Sequence, residues 1–95
     1  MFVIKLTYHK PLSVMDELRP AHLEFLDKYY AKNIFLISGR QNPPIGGVIL
    51  AHNIEKEKLE EILKQDPFYQ EQAAIFEVTE FVPSKFHPQL KDLIK

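Results

Sequence analysis

The chain has 95 residues, no cysteine, 26% charged residues and a formal net charge of −1. That balance gives no basic footprint for nucleic acid, and the lack of cysteine removes disulfides, thiol nucleophiles and cysteine-ligated metals. An apolar share of 45% predicts one folded domain over residues 1–95, small enough that a partner chain would help it bury surface.

The first residues, Phe2-Val3-Ile4-Lys5-Leu6-Thr7-Tyr8, are β-branched and aromatic and read as a strand. No basic leader precedes them, they are too short for a signal sequence, and no later apolar run reaches the length of a membrane span. The expectation is a cytoplasmic protein without a membrane or nucleic-acid partner. Pro11 ends the strand, and Ser13 with Asp16 three residues on makes a weak capping box for a short helical turn. Pro20 disfavours helical geometry at Arg19, so a break is expected there, with the main helix starting near Pro20.

Within that helix one imidazole stands where a core residue is expected. At about 100° per residue, Leu18 and Leu26 fall about 40° to either side of His22, Tyr29 about 20° away and Phe25 about 60° away. Glu24, Asp27, Lys28 and Ala31 point the opposite way, toward solvent. His22 is therefore either a hydrogen-bonded core histidine or a working base at the bottom of a pocket. A first-turn position would add the positive end of the helix dipole and favour the neutral ring.

Residues 33–39 form a second strand, apolar on both faces in its middle and so expected to be central. Arg40 to Pro44 is a loop by composition. Gly46 to His52 is a third strand, in a wide hairpin with the second. Asn53 is a candidate N-cap for a second helix that carries Leu59, Ile62 and Leu63 on one face. Asp66-Pro67 stops that helix. Residues 73–82 form a long fourth strand that Pro83 ends, and a short amphipathic helical tail, 85–95, follows with Leu90, Leu93 and Ile94. The order strand, helix, strand, strand, helix, strand is the ferredoxin-like βαββαβ arrangement of the α+β class, with both helices on one face of an antiparallel sheet. The open face calls for a cover, and a two-fold homodimer packing sheet on sheet supplies one.

Asp66 is the second polar anomaly. Counted from Leu59 it lies about 20° from the centre of the second helix's apolar stripe, at a helix C-terminus, where the dipole disfavours a carboxylate. It either bonds a backbone group of the Asp-Pro turn, or approaches the first helix to orient His22 or to exchange protons with a substrate.

Taken together, Arg19-Pro20-Ala21-His22-Leu23, Ser38-Gly39, Ile45-Gly46-Gly47, Asp66-Pro67-Phe68-Tyr69 and Val82-Pro83 resemble the YCII-related (YciI-like) family over nearly the whole chain. The resemblance implies a dimeric α+β barrel related in fold to muconolactone isomerase. It also implies an active-site cleft whose His/Asp pair maps onto His22 and Asp66. One member of that family is a dehydrochlorinase acting on a chlorinated hydroxyhydroquinone. Two departures fall at the expected rim of the cleft: Arg40 stands where relatives often carry proline, and the tail after Pro83 is longer than in the shortest members.

Arg19, about 60° from His22 on the helix, can hold an anionic or enolate oxygen or form a surface salt bridge. Ser38, followed by Gly39 at the strand end, can bond a ligand oxygen or cap its loop, and Tyr8 can line the cleft or pack. His9, His52 and His87 lie at element ends or in loops without paired metal-ligand spacing and read as exposed, so no metal site is expected. Gly46-Gly47 opens a strand rather than a helix, which makes it a turn and no phosphate cradle.

The leading functional reading is a small enzyme without a cofactor. In it His22 and Asp66 move a proton on a cyclic or enolisable organic substrate, with isomerisation or elimination as the outcome. The alternative is a non-catalytic dimeric module that holds a small molecule in the same cleft. A third reading is a structural dimer with two satisfied buried polar residues.

Overall fold

The computed structural model describes residues 1–94. Strand β1 (Phe2–Tyr8) leads into helix α1 (Leu12–Ala31), followed by β2 (Phe35–Arg40) and β3 (Gly46–Ala51). Helix α2 (Lys56–Leu63), a one-turn helix α3 (Pro67–Gln70) and β4 (Ala74–Glu80) complete the fold, and a 3-10 turn at Pro88–Leu90 lies in the tail. The four strands form one sheet in the order β2-β3-β1-β4, every neighbouring pair antiparallel. The expected α+β, ferredoxin-like order is therefore present, with α3 as an added turn.

Alternation along the strands decides which face is packed. Phe2, Ile4 and Leu6 of β1, Phe35 of β2, Ile49 and Ala51 of β3 and Ala74 of β4 are buried on one side. Met15, Phe25, Leu26 and Tyr29 of α1, Leu59 and Leu63 of α2 and Phe68 of α3 join them in a single core. The other face carries Ile37, Val48 and Ile75, all substantially exposed, around a Lys5–Glu77 pair in direct register.

Helix α1 does not break at Pro20. It runs unbroken from Leu12 with Pro20 inside it. Proline there removes one donor, the bond to the carbonyl of Asp16 four residues back, and burial of Met15 anchors the turns before it to the core. The N-cap position is Pro11, without a side-chain cap. Val14 and Met15 donate their backbone N–H groups to the Pro11 carbonyl at 2.9 and 3.1 Å, so Ser13 and Asp16 lie inside the helix and form no capping box. His22 is mid-helix as a result, beyond the first turn to which the dipole argument applies. Asn33, at φ 59°, takes the left-handed conformation that commonly closes a helix.

Three further expectations change. Strand β2 is an edge strand, not a central one; its outward Ile37 is 60% exposed, and its apolar middle does not mean cover on both faces. Asn53 is not an N-cap: it sits at φ 59°, and Glu55 occupies the cap position of α2 without a side-chain bond. Among the described residues the tail forms a 3-10 turn and no α-helix, with Leu90 and Leu93 exposed, so the apolar spacing there finds no face to bury against and a single turn is too short to hold an α-helix by itself. The reading of the tail at residue 95 lies outside the described residues. Among the described residues, no helix is long and apolar enough to cross a membrane.

Candidate active site

Asp66 begins α3, with Pro67 in the first turn. Its Oδ1 accepts the backbone N–H of Phe68 at 2.9 Å, the usual work of an N-cap aspartate. The carboxylate therefore stands at the favourable end of a helix rather than at the C-terminus of α2, because the Asp-Pro turn starts a new helix where an old one stops. The same carboxylate faces α1. Both of its oxygens lie 2.9 Å from His22 Nδ1. The two alternatives open for Asp66, a local backbone bond and an approach to His22, both occur at once.

Asp66 is fully buried and the His22 side chain is 12% exposed. An ionised carboxylate only accepts, so beside it the neutral ring carries its proton on Nδ1 and leaves the Nε2 lone pair free. The ring lies flat on Phe68, with centroids 4.1 Å apart and planes 8° from parallel. Tyr8 makes an edge-to-face pair with Phe68, their centroids 6.0 Å apart. One short helix thus supplies the carboxylate that fixes one ring nitrogen and the aromatic face that fixes the ring plane.

A cleft of about 120 Å³ opens here, and His22 lines it together with Tyr8, Arg19, Ser38 and Gly39. Every side chain singled out as a binding candidate reaches this cleft, with Asp66 behind it. Ser38 lies within β2 and caps no loop among the described residues; its Oγ is 2.6 Å from the Tyr30 hydroxyl. Tyr8 both lines the cleft and packs, and its hydroxyl accepts a hydrogen bond from Arg40 Nε at 3.2 Å. Arg40 also lines the cleft and donates from Nη2 to Asp16 Oδ1 at 2.9 Å. Those two hydrogen bonds, that to Asp16 foremost, hold its guanidinium above the usual arginine range.

Sequence reasoning missed Phe68, Tyr30 and Asp16. Phe68 was within reach as the aromatic of the Asp-Pro-Phe-Tyr run. Tyr30 and Asp16 act through Ser38 and Arg40, across pairings between a helix and a strand that no local pattern reveals. His52 is a correction. It is buried, with Nε2 lacking any hydrogen-bond partner, because its backbone N–H is tied to the Ile34 carbonyl at 2.9 Å and the chain folds back at Asn53. His9 and His87 are exposed as expected, and His87 caps the 3-10 turn by accepting the Gln89 N–H. Gly46 and Gly47 lie within β3, where Gly46 meets the backbone of β1 too closely for a Cβ.

The model of the YCII-related domain matches residues 1–82 of the chain. No curated protein sequence matches it. Among solved structures, the chain is similar in fold to the 5-chloro-2-hydroxyhydroquinone dehydrochlorinase (TftG) of Burkholderia phenoliruptrix AC1100, determined as a complex with 2,5-dihydroxybenzoquinone. The TM-score is 0.69 at 16% identity, over 86% of this chain and 94% of that one.

Proposed function

The chain belongs to the YCII-related domain family, and from that premise we propose that it is a small enzyme moving a proton on a cyclic or enolisable organic substrate. The observation that carries the reading is the placement of His22: Nδ1 held at 2.9 Å by a fully buried carboxylate, in a ring that lines an open cleft. A core histidine needs the first feature and not the second.

In this mechanism Nε2 of His22 takes a proton from an acidified carbon and returns it at another position, or a leaving group departs as the electron pair collapses. Asp66 fixes the tautomer and balances the imidazolium that forms, as a buried carboxylate does for an acting histidine. Arg19 stabilises the enolate oxygen. Tyr8, Ser38 and Gly39 shape the substrate wall. The chain's own side chains supply the whole acid–base chemistry, without a cofactor. The fold-level likeness to a dehydrochlorinase of a small ring compound supports elimination as one outcome. We further propose a homodimer in which the sheet face bearing Ile37, Val48 and Ile75 packs on a second copy.

The experiment is deuterium exchange. Cyclic 1,3-diketones, unsaturated lactones and hydroxyquinones are incubated with the protein in D2O and followed by proton NMR. Exchange at the acidic carbon faster than in a protein-free control is expected with wild type, and a loss of about a hundredfold or more of that excess rate with His22→Gln. Undiminished exchange with His22→Gln would remove the proposal. Compounds that perturb the cleft resonances without any exchange would establish the binding-module alternative instead.

A further inference from the structure

Among the described residues the cleft is lined by Arg19, His22 and Arg40 and by no aspartate or glutamate, in a chain whose acidic residues outnumber its basic ones by one, 13 to 12. Two carboxylates are bonded to cleft-lining residues: Asp66, fully buried, to His22, and Asp16, 59% exposed, to Arg40. Arg40 is not a loose surface side chain. Its Nε is fixed on Tyr8 and one Nη2 hydrogen on Asp16, and its guanidinium carbon lies 5.7 Å from the centre of the Tyr8 ring. Nη1 makes no hydrogen bond among the described residues, so one edge of a planar, oriented fork remains for a ligand. Arg40, Tyr8, Phe68 and His22 form one row of contacts, which sets the arginine and the imidazole at the two ends of the same aromatic wall.

From this arrangement we propose that the substrate is a small organic acid, with its carboxylate anchored on Arg40, and that Tyr8 and Asp16 are the positioning residues that aim that anchor. The inference deepens the reading of a proton-transfer cleft and rests on it, by naming the substrate class. A planar carboxylate meets the guanidinium edge through paired, charge-assisted hydrogen bonds, and the rest of the molecule extends along Tyr8 and Phe68 toward His22. The guanidinium keeps its charge through the neutral and alkaline range, so the anchor stays cationic wherever the ligand is a carboxylate.

The test is equilibrium binding, separate from turnover. Acetoacetate, maleate and benzoate are titrated into the protein and followed through the His22 ring resonances, beside acetoacetamide, maleamide and benzamide as uncharged counterparts. At least one acid is expected to bind in the millimolar range or tighter, about tenfold or more above its amide. Arg40→Gln is expected to erase that preference, and Arg40→Lys to weaken the acid about threefold or more, because a point charge replaces the fork. Should Arg40→Gln fail to fold, Arg40→Lys decides. Amides binding as well as acids, an acid preference that survives Arg40→Gln, undiminished acid binding by Arg40→Lys, or no acid moving the His22 resonances would each overturn the proposal. The outcomes are distinguishable from those of the exchange experiment: an acid preference without exchange removes the catalytic reading alone, and exchange without an acid preference removes this one alone.

Discussion

The Asp66 carboxylate bonds His22 Nδ1 from both oxygens at 2.9 Å while Oδ1 also accepts the Phe68 N–H at 2.9 Å. One residue therefore caps a helix, positions the aromatic ring beneath the imidazole and orients the imidazole itself. These tasks separate by substitution. In Asp66→Asn the amide oxygen still accepts the Phe68 N–H, but the amide nitrogen takes the place of Oδ2 at 2.9 Å from Nδ1 and presents a donor to it, which favours moving the histidine proton to Nε2. Nitrogen NMR of the ring is expected to show that reversal of tautomer. Exchange activity should fall by about a hundredfold or more while stability changes by less than about 1 kcal/mol. Asp66→Ala loses the cap as well and is expected to cost about 2–4 kcal/mol.

Two largely buried histidines should respond oppositely to leucine. His22→Leu leaves a fully buried carboxylate with only the Phe68 N–H, and is expected to destabilise by about 1–3 kcal/mol. His52 has a buried Nε2 with no partner, so His52→Leu removes an unsatisfied polar atom and is expected to be neutral or stabilising by up to about 1 kcal/mol. Urea denaturation of both variants compares them directly. Equal losses would mean that the His22–Asp66 contact contributes nothing beyond packing.

The apolar stripe of α1 was legible because period 3.6 survives even an internal proline: Phe25, Leu26 and Tyr29 join the core, with Leu18 packed against it. The succession of elements along the chain was legible too, since alternation and turn residues are local, although the place of β2 at the sheet edge was not. The unbroken helix was not, because the propensity penalty at Pro20 is outweighed by burial of Met15, a tertiary term. Asp66 was found as an anomaly but assigned to the wrong helix end, since nothing in Asp-Pro says whether a following turn stays open or closes into a helix. The links Tyr30–Ser38 and Asp16–Arg40 join α1 to β2 across the layer, where sequence spacing carries no period.

The glycines of β3 and β2 make a contrasting pair. A Cβ at Gly46 would stand 2.0 Å from the Leu6 carbonyl oxygen, a backbone atom that cannot swing aside, whereas one at Gly39 meets nothing within 4 Å. Gly46→Ala must therefore push β3 away from β1 and is expected to cost about 2 kcal/mol or more. Gly39→Ala should leave thermal stability within about 0.5 kcal/mol, although it narrows a cleft-lining position. Thermal unfolding gives the first comparison, and ligand titration at the His22 ring gives the second.

Pro20 is the residue of α1 whose replacement should strengthen the helix. It lies inside α1, where it cannot donate to the carbonyl of Asp16, the residue whose side chain holds Arg40. An alanine at this position restores the missing donor and carries the best helix propensity, against a proline penalty of about 3 kcal/mol in a helix interior. Part of that gain is offset because proline also restricts the unfolded chain, an effect of about 0.4–1 kcal/mol. Pro20→Ala is thus expected to raise stability by about 1–2 kcal/mol. It should do so without moving the His22 tautomer, since Asp66 fixes that from another element. A destabilised Pro20→Ala would mean that the proline shapes a bend on which the packing of α1 depends, and the Arg40–Asp16 contact would then be the next place to look for its effect.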